Sequence, residues 1–332
     1  MRILCVEPLR YDDDARAALE VLGEVAWEDC ADQAEFVRAL ARAPWDVLVT
    51  RLGLAVDAAA LAAAPSLRVV ATPTTGVDHI ATEALGARGA RLVSLRGETA
   101  FLESIRATAE HTFALLLALA RRLPSACADV AAGRWRREPF LGFELAGKSL
   151  GLIGCGRLGR MVAGYGLAFG MRVLAHDVDA AAIARAPAGT QAASAEDALG
   201  ADVVSLHLPL SPDTRGWLSA ARLAWLRPGA LLVNTARGEL IDEAALLPLL
   251  HEGHLGGAAL DVLAGDGSWD GHVAAREHHP LVDFASTHPD RLLITPHIGG
   301  YGRESITRTR RFLIERLRTT LETPPTPHPE TP

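Results

Sequence analysis

The sequence has 332 residues, 49% of them apolar and 5% aromatic, with a formal net charge of −7. That length suggests two domains, each with enough apolar residues to fill a core of its own. The acidic balance, with no basic stripe along the chain, argues against nucleic acid as a partner. Lys148 is the only lysine, and its position fits neither Schiff-base chemistry nor a phosphate-loop nucleotide site.

Elements alternate from the first residue. Met1 leads straight into a strand-like run, Arg2–Glu7, which leaves no room for a signal peptide. Further β-rich runs at Asp46–Thr50, Leu67–Thr72 and Arg91–Leu95 are separated by helical stretches such as Asp14–Leu22 and Gln33–Arg42. A long helix is expected from about Leu102 to Leu123. A second alternating series then begins, with strands predicted at Leu150–Gly154, Arg172–His176, Val203–Leu208, Leu231–Asn234, Ala258–Val262 and Leu292–Thr295. Several of these are continuous apolar runs, as in central strands buried on both faces. Helices are expected at Ala220–Leu226, Glu243–His251 and Glu304–Leu321, and the proline-rich Thr323–Pro332 reads as a disordered tail. The strand–helix alternation predicts two doubly wound parallel sheets. The longest apolar run, Phe113–Ala120, is far below the roughly 20 residues of a membrane helix. The four cysteines show no paired spacing for a metal or a dithiol. A soluble, cytoplasmic protein without a bound metal is therefore expected.

Three segments carry chemistry. Gly154-Cys155-Gly156-Arg157-Leu158-Gly159 follows an apolar strand and opens a helix. In that context the first glycine permits a tight turn, the second lets a pyrophosphate approach, and the third packs helix on strand. The phosphates would sit on the helix N-terminus. Asp177 ends the next strand, eighteen positions after Gly159, where a carboxylate would hold the ribose hydroxyls and repel a 2′-phosphate. NAD is thus expected in preference to NADP. Asn234-Thr235-Ala236-Arg237-Gly238 follows the strand Leu231–Asn234. Arg237 is either a surface arginine of this loop or the guanidinium that grips a substrate carboxylate. Thr295-Pro296-His297-Ile298-Gly299-Gly300 ends the last strand, and His297 there could serve as general acid–base. His111 is expected to pack or bond within the long helix.

The order of these segments, with Leu260-Asp261-Val262 between the last two, resembles the D-isomer-specific 2-hydroxyacid dehydrogenase family. The resemblance runs from about Val70 to Leu317 and also takes in Thr75-Gly76-Val77-Asp78, Ala109-Glu110-His111 and His207-Leu208-Pro209-Leu210. It implies a Rossmann NAD domain, residues 102–297, inserted in a flavodoxin-like substrate domain built from residues 1–101 and 298–322. The active site would lie in the cleft between them, and the protein would be a homodimer. It further implies that Arg237 binds the substrate carboxylate and polarises its carbonyl, and that His297 gives the proton to the keto oxygen. Arg157 and Leu158 would touch the pyrophosphate, Asp177 the ribose, and Leu208, Pro209 and Thr214 the adenosine side. Thr235, Ala236 and Asp261, with Gly299 and Gly300, would lie around the nicotinamide, and the Gly76–Val77 amides would help hold the carboxylate. The activity implied is NAD-dependent interconversion of a small D-2-hydroxy acid and its 2-keto acid. Formate- or phosphite-type dehydrogenation, and an NAD-sensing binding protein without catalysis, are the alternatives.

One departure stands out. The family pairs its histidine with a glutamate five residues after the aspartate of Leu-Asp-Val; here that position is Asp266. Aspartate keeps the charge but is one methylene, about 1.5 Å, shorter, so the loop would have to move inward. Asp270 and Glu277 are the other candidates, and Asp266 could be a plain loop residue.

Overall fold

The computed structural model describes residues 1–266 and 279–323. These form two compact units: one holds Met1–Leu102 with Gly302 onward, the other Glu103–Asp266 with the stretch ending at Tyr301. Trp269, Asp270, Glu277 and the expected tail from Pro324 lie outside the described residues.

The first unit carries a five-stranded sheet of β1 (Arg2–Cys5), β2 (Glu24–Trp27), β3 (Val47–Val49), β4 (Val69–Ala71) and β5 (Arg91–Val93). All pairings are parallel and the order is β2-β1-β3-β4-β5, the flavodoxin-like order. Helices cover both faces. Phe36, Leu40 and Leu61 pack on one side with Leu4, Leu48 and Val70. Leu19, Leu313, Ile314 and Leu317 pack on the other with Ile3, Val47 and Val69. Leu313, Ile314 and Leu317 belong to the last helix, Arg303–Glu322, so residues distant in sequence complete this core. Arg310 from the same helix reaches Glu7 just beyond β1, at 2.6 and 2.8 Å, with both side chains at least nine-tenths buried.

The second unit carries β6 (Ser149–Ile153), β7 (Arg172–His176), β8 (Gln191–Ala192), β9 (Val203–Leu206), β10 (Leu231–Asn234), β11 (Gly257–Leu260) and β12 (Leu292–Ile294). They order as β12-β11-β10-β9-β6-β7-β8, all parallel. This is the dinucleotide-binding order with one further strand, and it reverses between β6 and β9. β6, β9, β10 and β11 are buried at every residue, which is why they read as apolar runs without alternation.

Several expectations need correction. The long helix expected over 102–123 is only Ala107–Ala120; Thr99–Leu102 stands apart before it, and an unexpected helix, Leu123–Ala131, follows. The break at its C-terminal end has a local cause: Arg122 adopts a left-handed φ of 51° and Pro124 follows within the first turn of the next helix. Proline has no N–H for the preceding turn and its ring clashes there. Most strands also stop one or two residues before their predicted ends, because the chain turns away where the loop functions begin. Edge strands β2 and β8 were not expected. No helix among the described residues is long and apolar enough to cross a membrane.

Candidate active site

The glycine fingerprint closes on itself as a dinucleotide turn requires. Gly154 has φ +95°, and a Cβ there would lie 2.7 Å from the His207 carbonyl. A Cβ on Gly159 would meet the Gly154 carbonyl at 2.2 Å, whereas one on Gly156 would meet nothing within 4 Å. Two glycines are thus demanded by close packing, and the third faces open space where a phosphate can approach. The helix Arg157–Ala168 starts there without a side-chain cap, leaving its first amides for an anion. The Arg157 guanidinium donates to the Ile105 carbonyl at 3.0 Å, and burial depresses its pKa.

Asp177 follows β7, as expected, and does two jobs already. Its Oδ2 accepts the Cys155 amide at 2.7 Å and its Oδ1 the Asp179 amide at 2.9 Å. The segment after β9 lies beside the fingerprint: a Cβ on Gly154 would also approach Leu208 Cδ2 at 3.2 Å. Thr214 ties this segment together by donating to the Pro209 carbonyl at 2.6 Å. His207 accompanies it within 3.0 Å of Ser205; burial pushes its pKa down to about 4, so the ring is neutral. The residues around the switch point therefore fit a dinucleotide.

The remaining site residues lie past three neighbouring strands. β10, β11 and β12 are paired in register, Asn234 with Leu260 and Leu260 with Ile294. The segments bearing Arg237, Asp261–Asp266 and His297 therefore leave the same sheet edge side by side, about 4.8 Å apart. Asn234 shapes the first of them: its buried side chain donates to the Arg237 carbonyl at 2.8 Å and accepts the Ala236 amide at 3.0 Å. Arg237 is half-buried and donates to the Ala236 carbonyl at 2.7 Å. The Thr235 hydroxyl lies 2.8 Å from that of Thr112 on the helix Ala107–Ala120.

Asp266 meets His297. Its Oδ2 lies 2.9 Å from Nδ1 of the ring, with both side chains more than two-thirds buried. A carboxylate only accepts, so Nδ1 carries hydrogen and Nε2 is left to hold or release a proton. The aspartate reaches the ring although it is one methylene shorter than glutamate. The Asp266 amide donates to the Leu263 carbonyl at 3.1 Å, and Gly265 adopts φ +77°.

His297 itself has φ +54°, a backbone state that non-glycine residues rarely adopt. Asp261 supplies the restraint. Its carbonyl accepts the His297 amide at 2.8 Å, Oδ1 accepts Ile298 at 2.9 Å, and Oδ2 accepts Gly299 at 2.7 Å. Thr295 Oγ1 donates to Oδ1 at 2.6 Å, so its oxygen is left to accept from Nε2 of His111 at 3.0 Å. Nε2 of His111 also lies 3.2 Å from Oδ1 itself. Burial alone would raise the Asp261 pKa, but the bonds to it, led by those from His111 and Thr295, outweigh it and hold the pKa below normal. Asp261 is 1% exposed; the oxygens that the resemblance assigns to the nicotinamide region are engaged within the protein. His111, expected to bond within its own helix, instead buttresses the His297 loop. That contact joins positions 184 residues apart, and no local pattern announces it. Gly76 and Val77 lie in the first unit after β4, where the Thr74 hydroxyl donates to the Gly76 carbonyl at 2.6 Å. No cluster of potential metal ligands occurs among the described residues.

Residues 113–299, more than half of the chain, match the model of the D-isomer specific 2-hydroxyacid dehydrogenase, NAD binding domain. The chain belongs to this family. It is 36% identical to a D-3-phosphoglycerate dehydrogenase of Mycobacterium leprae over 93% of this chain, though that spans only 56% of the relative. It is also 36% identical to a glyoxylate reductase of Aeropyrum pernix, over 82% of this chain and 78% of the relative. Among solved structures, D-lactate dehydrogenase from Aquifex aeolicus, complexed with NAD and lactic acid, is 26% identical. It aligns over 97% of this chain and 96% of that one, with a TM-score of 0.81. The family model and this NAD-bound neighbour identify the second unit as the NAD-binding part of the chain.

Proposed function

We propose that the protein is an NAD-dependent dehydrogenase that interconverts a small D-2-hydroxy acid and its 2-keto acid. The observation that carries this reading is the 2.9 Å pairing of His297 with Asp266, past the edge strand that follows the dinucleotide site. Bound NAD supplies the hydride acceptor, and NADH the donor in reduction. In reduction, His297 gives the proton on Nε2 to the keto oxygen, and Asp266 stabilises the imidazolium that must be present beforehand. Arg237 binds the substrate carboxylate by two parallel hydrogen bonds and draws electron density from the adjoining carbonyl. In oxidation, neutral His297 takes the hydroxyl proton. Gly154, Gly156, Arg157, Leu158 and Gly159 hold the pyrophosphate, and Asp177 selects NAD over NADP. The carboxylate role of Gly76–Val77 and the homodimer belong to the proposal through the resemblance alone, and the cytoplasmic location through the sequence expectation alone.

The chain spans about half the length of the phosphoglycerate dehydrogenase relatives it matches, so a phosphorylated substrate is a second reading that their names favour. Of Arg51 and Arg96, the candidates for the extra cation such a substrate would need, Arg51 donates to the Leu52 and Cys30 carbonyls at 2.9 and 2.8 Å, while Arg96 is exposed. The engagement of Arg51 favours an unphosphorylated acid. The test is NADH oxidation across glyoxylate, hydroxypyruvate, pyruvate, phenylpyruvate and 3-phosphohydroxypyruvate. Turnover of at least one of the first four, with the phosphorylated acid slower, is expected. Exclusive use of 3-phosphohydroxypyruvate would reverse the substrate assignment, and no turnover with any would remove the dehydrogenase reading.

A further inference from the structure

We propose that Glu239 and Glu243 are positioning residues that set Asp266 against His297 by gripping the backbone of the turn 263–266. Glu239 sits just past Arg237, and Glu243 opens the helix Glu243–His251. Glu243 Oε1 accepts the Ala264 amide at 2.8 Å, and Glu239 Oε1 accepts the Gly265 amide at 3.2 Å. Two successive amides ahead of a left-handed residue form a concavity suited to anions. Here the protein's own carboxylates fill it. Gly238 lets the turn come this close, because a Cβ there would lie 2.0 Å from the Leu263 carbonyl carbon.

The arrangement has a cost that needs a return. Two carboxylates of like charge are brought together, and burial, with Glu239 adding to it, pushes the Glu243 pKa up. The Ala264 amide and His279, whose Nε2 lies 3.4 Å from Glu243 Oε2, work in the opposite direction. What the grip achieves is a fixed backbone at residues 264 and 265, and with it a fixed place for the Asp266 carboxylate 2.9 Å from Nδ1 of His297. The two glutamates touch no reacting atom and act only through Asp266.

The geometry stands by itself, while its catalytic meaning rests on the acid–base reading above. The test is therefore an NMR titration of His297 in the full chain labelled with 15N-histidine, the signal assigned by its loss in His297→Gln. Asp266→Asn should lower the titration midpoint by about one pH unit or more. Glu239→Ala/Glu243→Ala, and each single alanine variant in proportion, should reproduce that change. Glu239→Gln/Glu243→Gln, which keeps a carbonyl acceptor for each amide, should stay near wild type. Single variants and the glutamine pair keep the comparison available if the double alanine variant does not fold. A wild-type midpoint in folded alanine variants, while Asp266→Asn lowers it, overturns the positioning role and leaves the acid–base pair intact. An unchanged midpoint in Asp266→Asn overturns the pair and the positioning with it. Expected midpoints without turnover of any 2-keto acid would support the positioning role and remove the functional reading.

Discussion

Asp177 illustrates how much one residue can be asked to do. It was legible from its place after a strand eighteen positions beyond the fingerprint. Not legible was its second task, accepting the Cys155 amide and so fixing the turn that a pyrophosphate would meet. The two tasks can be separated by substitution. Asp177→Asn retains an acceptor oxygen for that amide but loses the charge that repels a 2′-phosphate. We expect it to narrow the gap between NADH and NADPH while keeping NADH affinity within about tenfold. Asp177→Ala should lose more than tenfold with both cofactors, since the amide also loses its partner; a stripped charge-assisted bond of about 1.5–3 kcal/mol corresponds to that range. Fluorescence titration of each variant with both cofactors checks this. Equal affinity of wild type for NADH and NADPH would show that Asp177 does not select. The histidines teach the opposite lesson. His297 could be picked out because a strand end and two glycines frame it, whereas His111 lies on a helix and looks like a packing residue until the fold brings it to Thr295.

At the scale of elements, the central strands were readable because burial on both faces leaves unbroken apolar runs, as in Leu231–Asn234 and Gly257–Leu260. Edge strands β2 and β8 were not, since a short strand with one covered side has little periodicity to show. The end expected for the long helix, Leu123, lies close to the observed break at Arg122, but the helix Leu123–Ala131 beyond it was not expected. The last helix, Arg303–Glu322, was recognised as a helix from its own pattern, but the tie that fixes it could not be. The Arg310–Glu7 pair spans 303 residues and is nearly dry. Removing one member of a buried pair leaves an uncompensated charge and costs about 3–5 kcal/mol. Arg310→Met should therefore lower Tm by roughly 10 °C. Glu7→Leu/Arg310→Met should be more stable than Arg310→Met, because it leaves neither charge stranded. Thermal unfolding of wild type, Glu7→Leu, Arg310→Met and the double variant decides this; a double variant as unstable as the two single losses added together would mean that the pair is not coupled.

For the whole molecule, alternation of strand and helix predicted two parallel sheets, and both orders follow from topology that sequence alone cannot count. Family membership adds the NAD-binding part, and the pairing of Asp266 with His297 adds the chemistry proposed for it. The departure from the family at position 266 left open whether any acid would reach the histidine; Asp266 does reach it, 2.9 Å from Nδ1. The central claim is that His297 moves the proton for a 2-keto acid at the mouth of an NAD site. The most direct test is NADH-dependent reduction of the best 2-keto acid by wild type and His297→Gln, with NADH affinity measured in parallel. Loss of a general acid is expected to lower kcat by about 10²–10⁴-fold with NADH affinity within a few-fold of wild type. A His297→Gln variant that turns over within a few-fold of wild type would contradict the account.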